Sequence, residues 1–370
     1  MAGADQKTAH PTMTDVLAAR RRIAGQVRRT PLIASPSLSA QHGAPVHLKC
    51  EHHQTTGAFK LRGATNAVLS LPPELRARGG TASSTGNHGR GLAHAAQAAG
   101  VRCIVCMSAL VPRNKVEGVK ALGAEARIIG LSQDDAQVEV ERLVAEEGMV
   151  SLPPFDHPDI IAGQGTLGLE MLEDLPEADT LVVPLSGGGL IAGIALAAKT
   201  LKPAIRIVGV SQDLGPAMYN SLKAGHLVQV EELPTLADSL GGGIGLHNEH
   251  TLAMVRALVD ETLLVSETEI AGAIRHAYAQ ERQIVEGGAA VGIAALLQAP
   301  RPDWGTTVIL LSGGNIDMDL HARIVAGENP DLLAERQRQE TGERQRQETG
   351  ERQRQETGER QAQEPAARHG

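Results

Sequence analysis

"DTLVVPLSGGGLIAGIALAAK", residues 179–199, sets a short apolar run against three consecutive glycines and then an apolar stretch of helical length. The run from Asp179 to Leu185 has the length and β-branched content of a buried strand, and "LIAGIALAAKTL" reads as a helix. Between them, Gly187, Gly188 and Gly189 follow Ser186. Such a loop lets successive backbone N–H groups turn toward one point, and the helix start adds a partial positive charge. That is the pattern of a phosphate cradle. It lacks the GKS or GKT ending of a nucleoside-triphosphate loop, and "SGGGLIAG" departs from GxGxxG spacing. Taken alone, a glycine-rich turn that serves only close helix–strand packing is the alternative.

Outward from this stretch the alternation repeats. "VRCIVCM", "EARIIG", "IRIVGV" and "TTVILL" read as strands; "NHGRGLAHAAQAAG", "NKVEGVKALG", "SQDDAQVEVERLVAEEG" and "ETEIAGAIRHAYAQERQ" read as helices. Strands alternating with helices imply right-handed crossovers and a mostly parallel sheet in an α/β fold. Ligands on such sheets sit beyond the carboxyl ends of the strands. At one such end, "TASSTGNHGRGLAHAA", Ser83, Ser84, Thr85, Asn87 and His88 crowd hydroxyl, amide and imidazole groups just before a helix, whose first N–H groups can receive a carboxylate. An N-cap accounts for one of these side chains, hardly for all. "TTVILLSGGNID" leaves Ser312 at another strand tip, where a turn cap is the competing reading. "TGAFKLRGA", residues 56–64, holds Lys60 between a phenylalanine and a leucine. A lysine stem can pack on apolar surface with its ammonium in water, so this stretch alone fits structure as well as chemistry.

A chain of 370 residues, 42% hydrophobic with 41 glycines, can bury the core of two compact lobes. The formal net charge of -8 and the lack of a long basic run argue against nucleic-acid binding, and two Phe, two Tyr and one Trp leave little for base stacking. No stretch has the apolar length of a signal peptide or membrane span, so a cytoplasmic protein with no membrane partner is expected. Cys50, Cys103 and Cys106 cannot build a disulfide framework. "CIVC" has CxxC spacing but lies in a strand-like run without a second pair, which favours buried strand cysteines over a metal or redox site. From Glu335 the octapeptide "ERQRQETG" occurs three times in tandem before the degraded copy "ERQAQEPA". The repeat is charge-balanced and has no apolar residue, and its Thr-Gly should interrupt helix. Residues 331–370 are therefore expected to be a disordered or transiently helical tail.

Together the strand-end motifs call for a ligand with a phosphate dianion, a planar heterocycle and a carboxylate, and for an amine-bearing lysine. The sequence resembles the fold type II pyridoxal-phosphate enzymes, specifically the threonine and serine dehydratases and the serine racemases, over roughly residues 14–325. The family motif S-F-K-x-R-G-A reads "AFKLRGA" here. The resemblance implies pyridoxal 5'-phosphate as cofactor, with Lys60 as the Schiff-base lysine beside Phe59. It places Ser186, Gly187, Gly188, Gly189 and Leu190 at the cofactor phosphate, Asn87 at the ring hydroxyl, Ser312 at the pyridine nitrogen and Glu286 near the ring. Ser84, Thr85, Gly86, Asn87 and His88 would grip the substrate carboxylate. It further implies two lobes with mostly parallel twisted sheets flanked by helices: residues 14–52 and 156–330 as a large cofactor-binding lobe, 53–155 as a small lobe that closes on substrate, 1–13 as a flexible N-terminus, and a homo-oligomer, a dimer. A neutral serine leaves the ring nitrogen largely unprotonated, which favours loss of a β-substituent over a long-lived carbanion. Lys60, its pKa lowered in a dry site near a cation, would remove the α-proton of an amino-acid substrate.

Within the family, "EHHQTTGAFKLRGATNAVLSLP", "SSTGNHGRGLAHAA", "MSALVPRNKVEGVKALGAEARI" and "LPTLADSLGGGIGL" look similar to the hydroxyectoine-utilisation dehydratases. That implies a β-hydroxy α-amino acid from the opened ring; a threonine or serine dehydratase of general catabolism, or a racemase, are the alternatives. "EHHQ" stands where relatives have E-N-x-Q, which puts His52 and His53 near the cofactor entrance, as substrate selectors or as paired surface histidines. "SQDLGPAMY" puts Ser211, Gly215 and Ala217 where racemase-like members supply acidic metal ligands, so no metal is expected. Serine racemases carry a serine, two residues before the loop asparagine, that exchanges a proton on the face opposite the lysine. Thr85 stands there, a second catalytic candidate whose β-branching restricts its hydroxyl, so elimination is expected to exceed racemisation.

Overall fold

The computed structural model describes residues 9–339 and 341, apart from 85, 110, 112, 132 and 246. Met1–Asn329 forms one compact unit and Pro330–Gly370 a second. In the first, the described residues form ten strands: β1 (Leu32–Ala34), β2 (Val46–Cys50), β3 (Gly80–Ser83), β4 (Cys103–Met107), β5 (Glu125–Ile128), β6 (Val150–Ser151), β7 (Thr180–Pro184), β8 (Arg206–Gln212), β9 (Glu261–Val265) and β10 (Thr307–Leu311). They make a six-stranded sheet in the order β1-β2-β10-β7-β8-β9 and a four-stranded sheet in the order β5-β4-β3-β6. Every pair is parallel except β1 with β2. The strands expected at "DTLVVPL", "TTVILL" and their counterparts are β7, β10, β4, β5 and β8, each within two residues of the expected bounds.

Helices cover the sheets, so β7 and β10 are buried at every position and read as unbroken apolar runs. The helices Pro158–Asp174 and Gly189–Leu201 supply much of the main core, with Ile161, Leu167, Met171, Ile191 and Ile194 packed against Val183, Val308 and Leu310. On β4 the period of two sends Cys103 to one face beside Leu92 and Val105, and Cys106 to the other beside Ile104 and Leu143. The CxxC pair thus straddles a sheet. Burial pushes the Cys50 and Cys103 thiols up to about 12. Among the described residues, no helix is long and apolar enough to cross a membrane.

The helix Lys60–Ser70 is held from two sides. A Cβ on Gly163, in the helix Pro158–Asp174, would come within 2.6 Å of the Gly63 Cα, so two glycines let these backbones touch. Two residues into the helix, fully buried Arg62 donates to Glu51 through Nε and Nη2 at 2.8 Å each, and to Glu170 at 2.6 and 2.9 Å. Thr30 Oγ1 donates to Glu51 at 2.5 Å, and buried Lys49 pairs with Glu170 at 2.9 Å. Burial opposes the Glu51 charge, but Arg62 and Thr30 hold its carboxyl below the usual range.

Candidate active site

The glycine loop leaves β7 and turns into the helix Gly189–Leu201 through Gly188 at φ 87, and no side chain caps that helix start. First-turn N–H groups without a side-chain acceptor are suited to an anion. A Cβ on Gly187 would strike the Phe155 ring at 2.3 Å, and one on Gly189 would lie 2.6 Å from the Phe155 carbonyl. Leu190, in the same first turn, is 8% exposed.

Pro154 and Phe155 also meet the lysine, since Lys60 Nζ donates to the Pro154 carbonyl at 2.7 Å and lies 5.3 Å from the centre of its neighbour Phe59's ring. The glycine loop and Lys60 are therefore joined across one dipeptide. Lys60 opens its helix after Phe59, whose N–H bonds the Ser312 carbonyl at 3.0 Å just past β10. Lys60 as a whole residue is half-buried, but its amine end is crowded: burial pushes its pKa down to about 8, opposed by the Glu286 charge.

Glu286 and Ser312 lie close by. Ser312 is buried, and a Cβ on the next residue, Gly313, would come within 2.7 Å of Glu286 Oε1. Glu286 is the N-cap residue of the helix Gly287–Gln298. Burial, then the Asp238 charge, raise its carboxyl above the usual range, against Lys115, Ser239 and Asn87. Asn87, first in the helix Asn87–Ala99, donates Nδ2 to Glu286 Oε1 at 2.7 Å.

The loop before Asn87 is organised by Ser84, whose buried hydroxyl oxygen accepts from Gly86 N at 3.1 Å and Gly89 N at 2.8 Å. His88 is buried, with Nε2 donating to the Leu152 carbonyl at 2.7 Å. A carbonyl only accepts, so Nδ1 is the unprotonated nitrogen, and burial, helped by Lys60, pushes the imidazole down to about 3. Thr85 lies outside the described residues. His52 and His53 both reach Gln283 Oε1, at 2.7 and 3.1 Å, and burial pushes His52 down to about 4.

Several residues around this site were not singled out from sequence. Lys115 lays its stem over Gly86, where a Cβ would meet its Cδ at 2.9 Å, and its amine pairs with Asp238. Arg90 and Asn315 form a polar chain to Asn87. Asn315 sits within the quoted "SGGNID", but only the fold brings it to Asn87, 228 residues away in sequence.

These groups fit a pyridoxal phosphate: an uncapped helix start for the dianion, a lysine with a depressed pKa, and an amide and a serine gathered around it at strand ends. The chain matches the family described as "Pyridoxal-phosphate dependent enzyme" over residues 23–313. It is 59% identical over 310 residues to a Sinorhizobium fredii protein named "Putative threonine dehydratase", covering 84% of this chain and 93% of that one. To the L-threo-3-hydroxyaspartate ammonia-lyase of Saccharomyces cerevisiae it is 38% identical, covering 86% of this chain and 97% of the other. The structure of maize serine racemase superposes with a TM-score of 0.81 at 35% identity, covering 85% of this chain and 97% of that one. Fold, site and relatives agree: the chain belongs to the fold type II pyridoxal-phosphate-dependent enzymes and is a threonine dehydratase-like ammonia-lyase.

Proposed function

We propose that the chain eliminates water from a β-hydroxy α-amino acid, and that its substrate in the cell is the amino acid released by opening the hydroxyectoine ring. The observation that carries the elimination is the Lys60 amine, held against the Pro154 carbonyl with its pKa pushed down to about 8. Such an amine has a neutral fraction near physiological pH and can take a proton. The glycine loop from Ser186 to Gly189, with Leu190, would hold the cofactor phosphate, Phe59 would lie beside the ring, Asn87 would bond its hydroxyl, and Ser312 would face its nitrogen. When bound, the cofactor supplies an electron sink for charge at the substrate's α-carbon.

Lys60 Nζ takes the α-proton and the β-hydroxyl departs, so that the substrate loses H and OH, one water in all. The resulting enamine tautomerises and takes up one water to release a keto acid and ammonia. The loop from Ser84 to His88 would seat the substrate carboxylate. His88, its imidazole pushed down to about 3 by burial, is neutral and would serve this loop through its bond to the Leu152 carbonyl, not as a cation for the carboxylate. The hydroxyectoine reading is supported by the four similar stretches, and a relative named for a hydroxylated amino acid, the yeast hydroxyaspartate ammonia-lyase, favours the same substrate class.

The test is turnover of the holoenzyme with the opened hydroxyectoine amino acid, L-threonine, L-serine and L-threo-3-hydroxyaspartate, following keto acid, ammonia and α-hydrogen exchange with inversion. Equal keto acid and ammonia, fastest with the opened hydroxyectoine amino acid, and inversion far below elimination are expected. Threonine turning over faster would overturn the hydroxyectoine assignment. Inversion matching elimination would overturn the dehydratase reading, including the restricted role given to Thr85.

A further inference from the structure

A line of polar side chains runs outward from Glu286. Its Oε1 accepts from Asn87 Nδ2 at 2.7 Å; Asn87 Oδ1 accepts from Asn315 Nδ2 at 2.7 Å; Asn315 Oδ1 accepts from Arg90 Nη1 at 2.7 Å. Asn315 Nδ2 also donates to the Thr56 carbonyl at 3.0 Å. Two contacts fix the direction of the line. A guanidinium only donates, so the Asn315 atom facing Arg90 is oxygen, and a carbonyl only accepts, so the atom facing Thr56 is nitrogen. Asn87 must then turn its oxygen to Asn315 and its N–H groups to the other side.

The glutamate end does not settle this orientation. Burial raises the Glu286 carboxyl, and a protonated carboxyl can donate to an amide as well as accept from it. The arginine end cannot reverse. Two glycines keep the line clear: a Cβ on Gly57, at φ +76, would lie 2.5 Å from Asn315 Oδ1, and a Cβ on Gly118 would lie 2.7 Å from Arg90 Nε.

We propose that Arg90 is a positioning residue which, through Asn315, locks the Asn87 amide with its nitrogen turned away from Asn315, one N–H on Glu286 and the other left for the ring oxygen of the cofactor. The proposal rests on the reading of Asn87 as the ring-oxygen contact. Without the lock, Asn87 can rotate by half a turn and set oxygen against oxygen, losing a hydrogen bond and adding a repulsion.

The test is the Kd of the cofactor-free enzyme for pyridoxal phosphate, from fluorescence titration, alongside the thermal midpoint. Asn315→Asp is the discriminating variant. Aspartate still accepts from Arg90 but shows Asn87 only oxygen and reverses the amide; it also gives up the bond to the Thr56 carbonyl, so a lowered midpoint is expected and the affinity is read at a temperature where the variant is folded. An affinity loss of about tenfold or more is expected, the scale of one charge-assisted hydrogen bond. Arg90→Leu is expected to weaken binding severalfold, and Arg90→Lys, still a pure donor, to recover most of it. Wild-type affinity in Asn315→Asp or Arg90→Leu, while Asn87→Ala binds weakly, would overturn the proposal. Wild-type affinity in Asn87→Ala would instead remove the ring-oxygen contact on which it rests.

Discussion

Lys60, the proposed base, sits where its surroundings make its charge costly. Its ordinary pKa of 10.5 falls to about 8 in the folded chain through burial of the ammonium. Between those values the unfolded chain holds the proton and the folded chain does not, so this group makes the cofactor-free enzyme more stable as pH rises from about 8 to 10.5. Below that window the buried charge is a penalty. Lys60→Met removes it, so any stability advantage of the variant is expected to shrink across the window, as read from urea midpoints. Parallel midpoint curves would show that the amine is not desolvated. The lysine was legible because the motif around it is contiguous. Arg90 and Asn315 were not, since each is an ordinary polar residue until the fold sets Asn315 between Arg90 and Asn87.

The elements that place Lys60 depend on close backbone approach and on a buried ion cluster. Arg62 and its carboxylates Glu51 and Glu170 lie deep in the protein, and removing one member strands the others. Arg62→Met is expected to cost about 3–5 kcal/mol, checked by urea unfolding; a cost under about 1 kcal/mol, the scale of an exposed ion pair, would contradict the cluster's burial. A Cβ on Gly193 would lie 2.2 Å from the Ile161 carbonyl, so Gly193→Ala is expected to force the helices Pro158–Asp174 and Gly189–Leu201 apart, at about 1–3 kcal/mol or more. The strands legible in the sequence are long apolar runs such as β7 and β10. β6 has two residues and β9 keeps four of its five partly exposed, so neither gives a clear pattern. The helix Pro158–Asp174 carries Gly163, Gly165 and Gly168, which lower helix propensity yet make its packing possible.

The residues proposed to act on cofactor and substrate all fall within the unit Met1–Asn329, and the repeats begin beyond it. The repeat has no apolar side chain to bury, so truncation after Pro330 is expected to leave the melting temperature and keto-acid release nearly unchanged. A large loss of either would show that the tail contributes to the folded enzyme or its assembly. The repeats fall mostly outside the described residues, as does Thr85. The α/β class was legible from strand–helix alternation because helices on both faces leave the central strands apolar throughout.

One lysine, Lys60, is proposed both to attach the cofactor and to serve as the base. Borohydride reduction of the holoenzyme, followed by peptide mass spectrometry, decides this: the reduced cofactor's mass is expected on the peptide containing Lys60, and Lys60→Ala, still folded by circular dichroism, is expected to carry none and to release no keto acid. Cofactor mass on Lys49, Lys115 or another lysine, or sustained keto-acid release by Lys60→Ala, would contradict it.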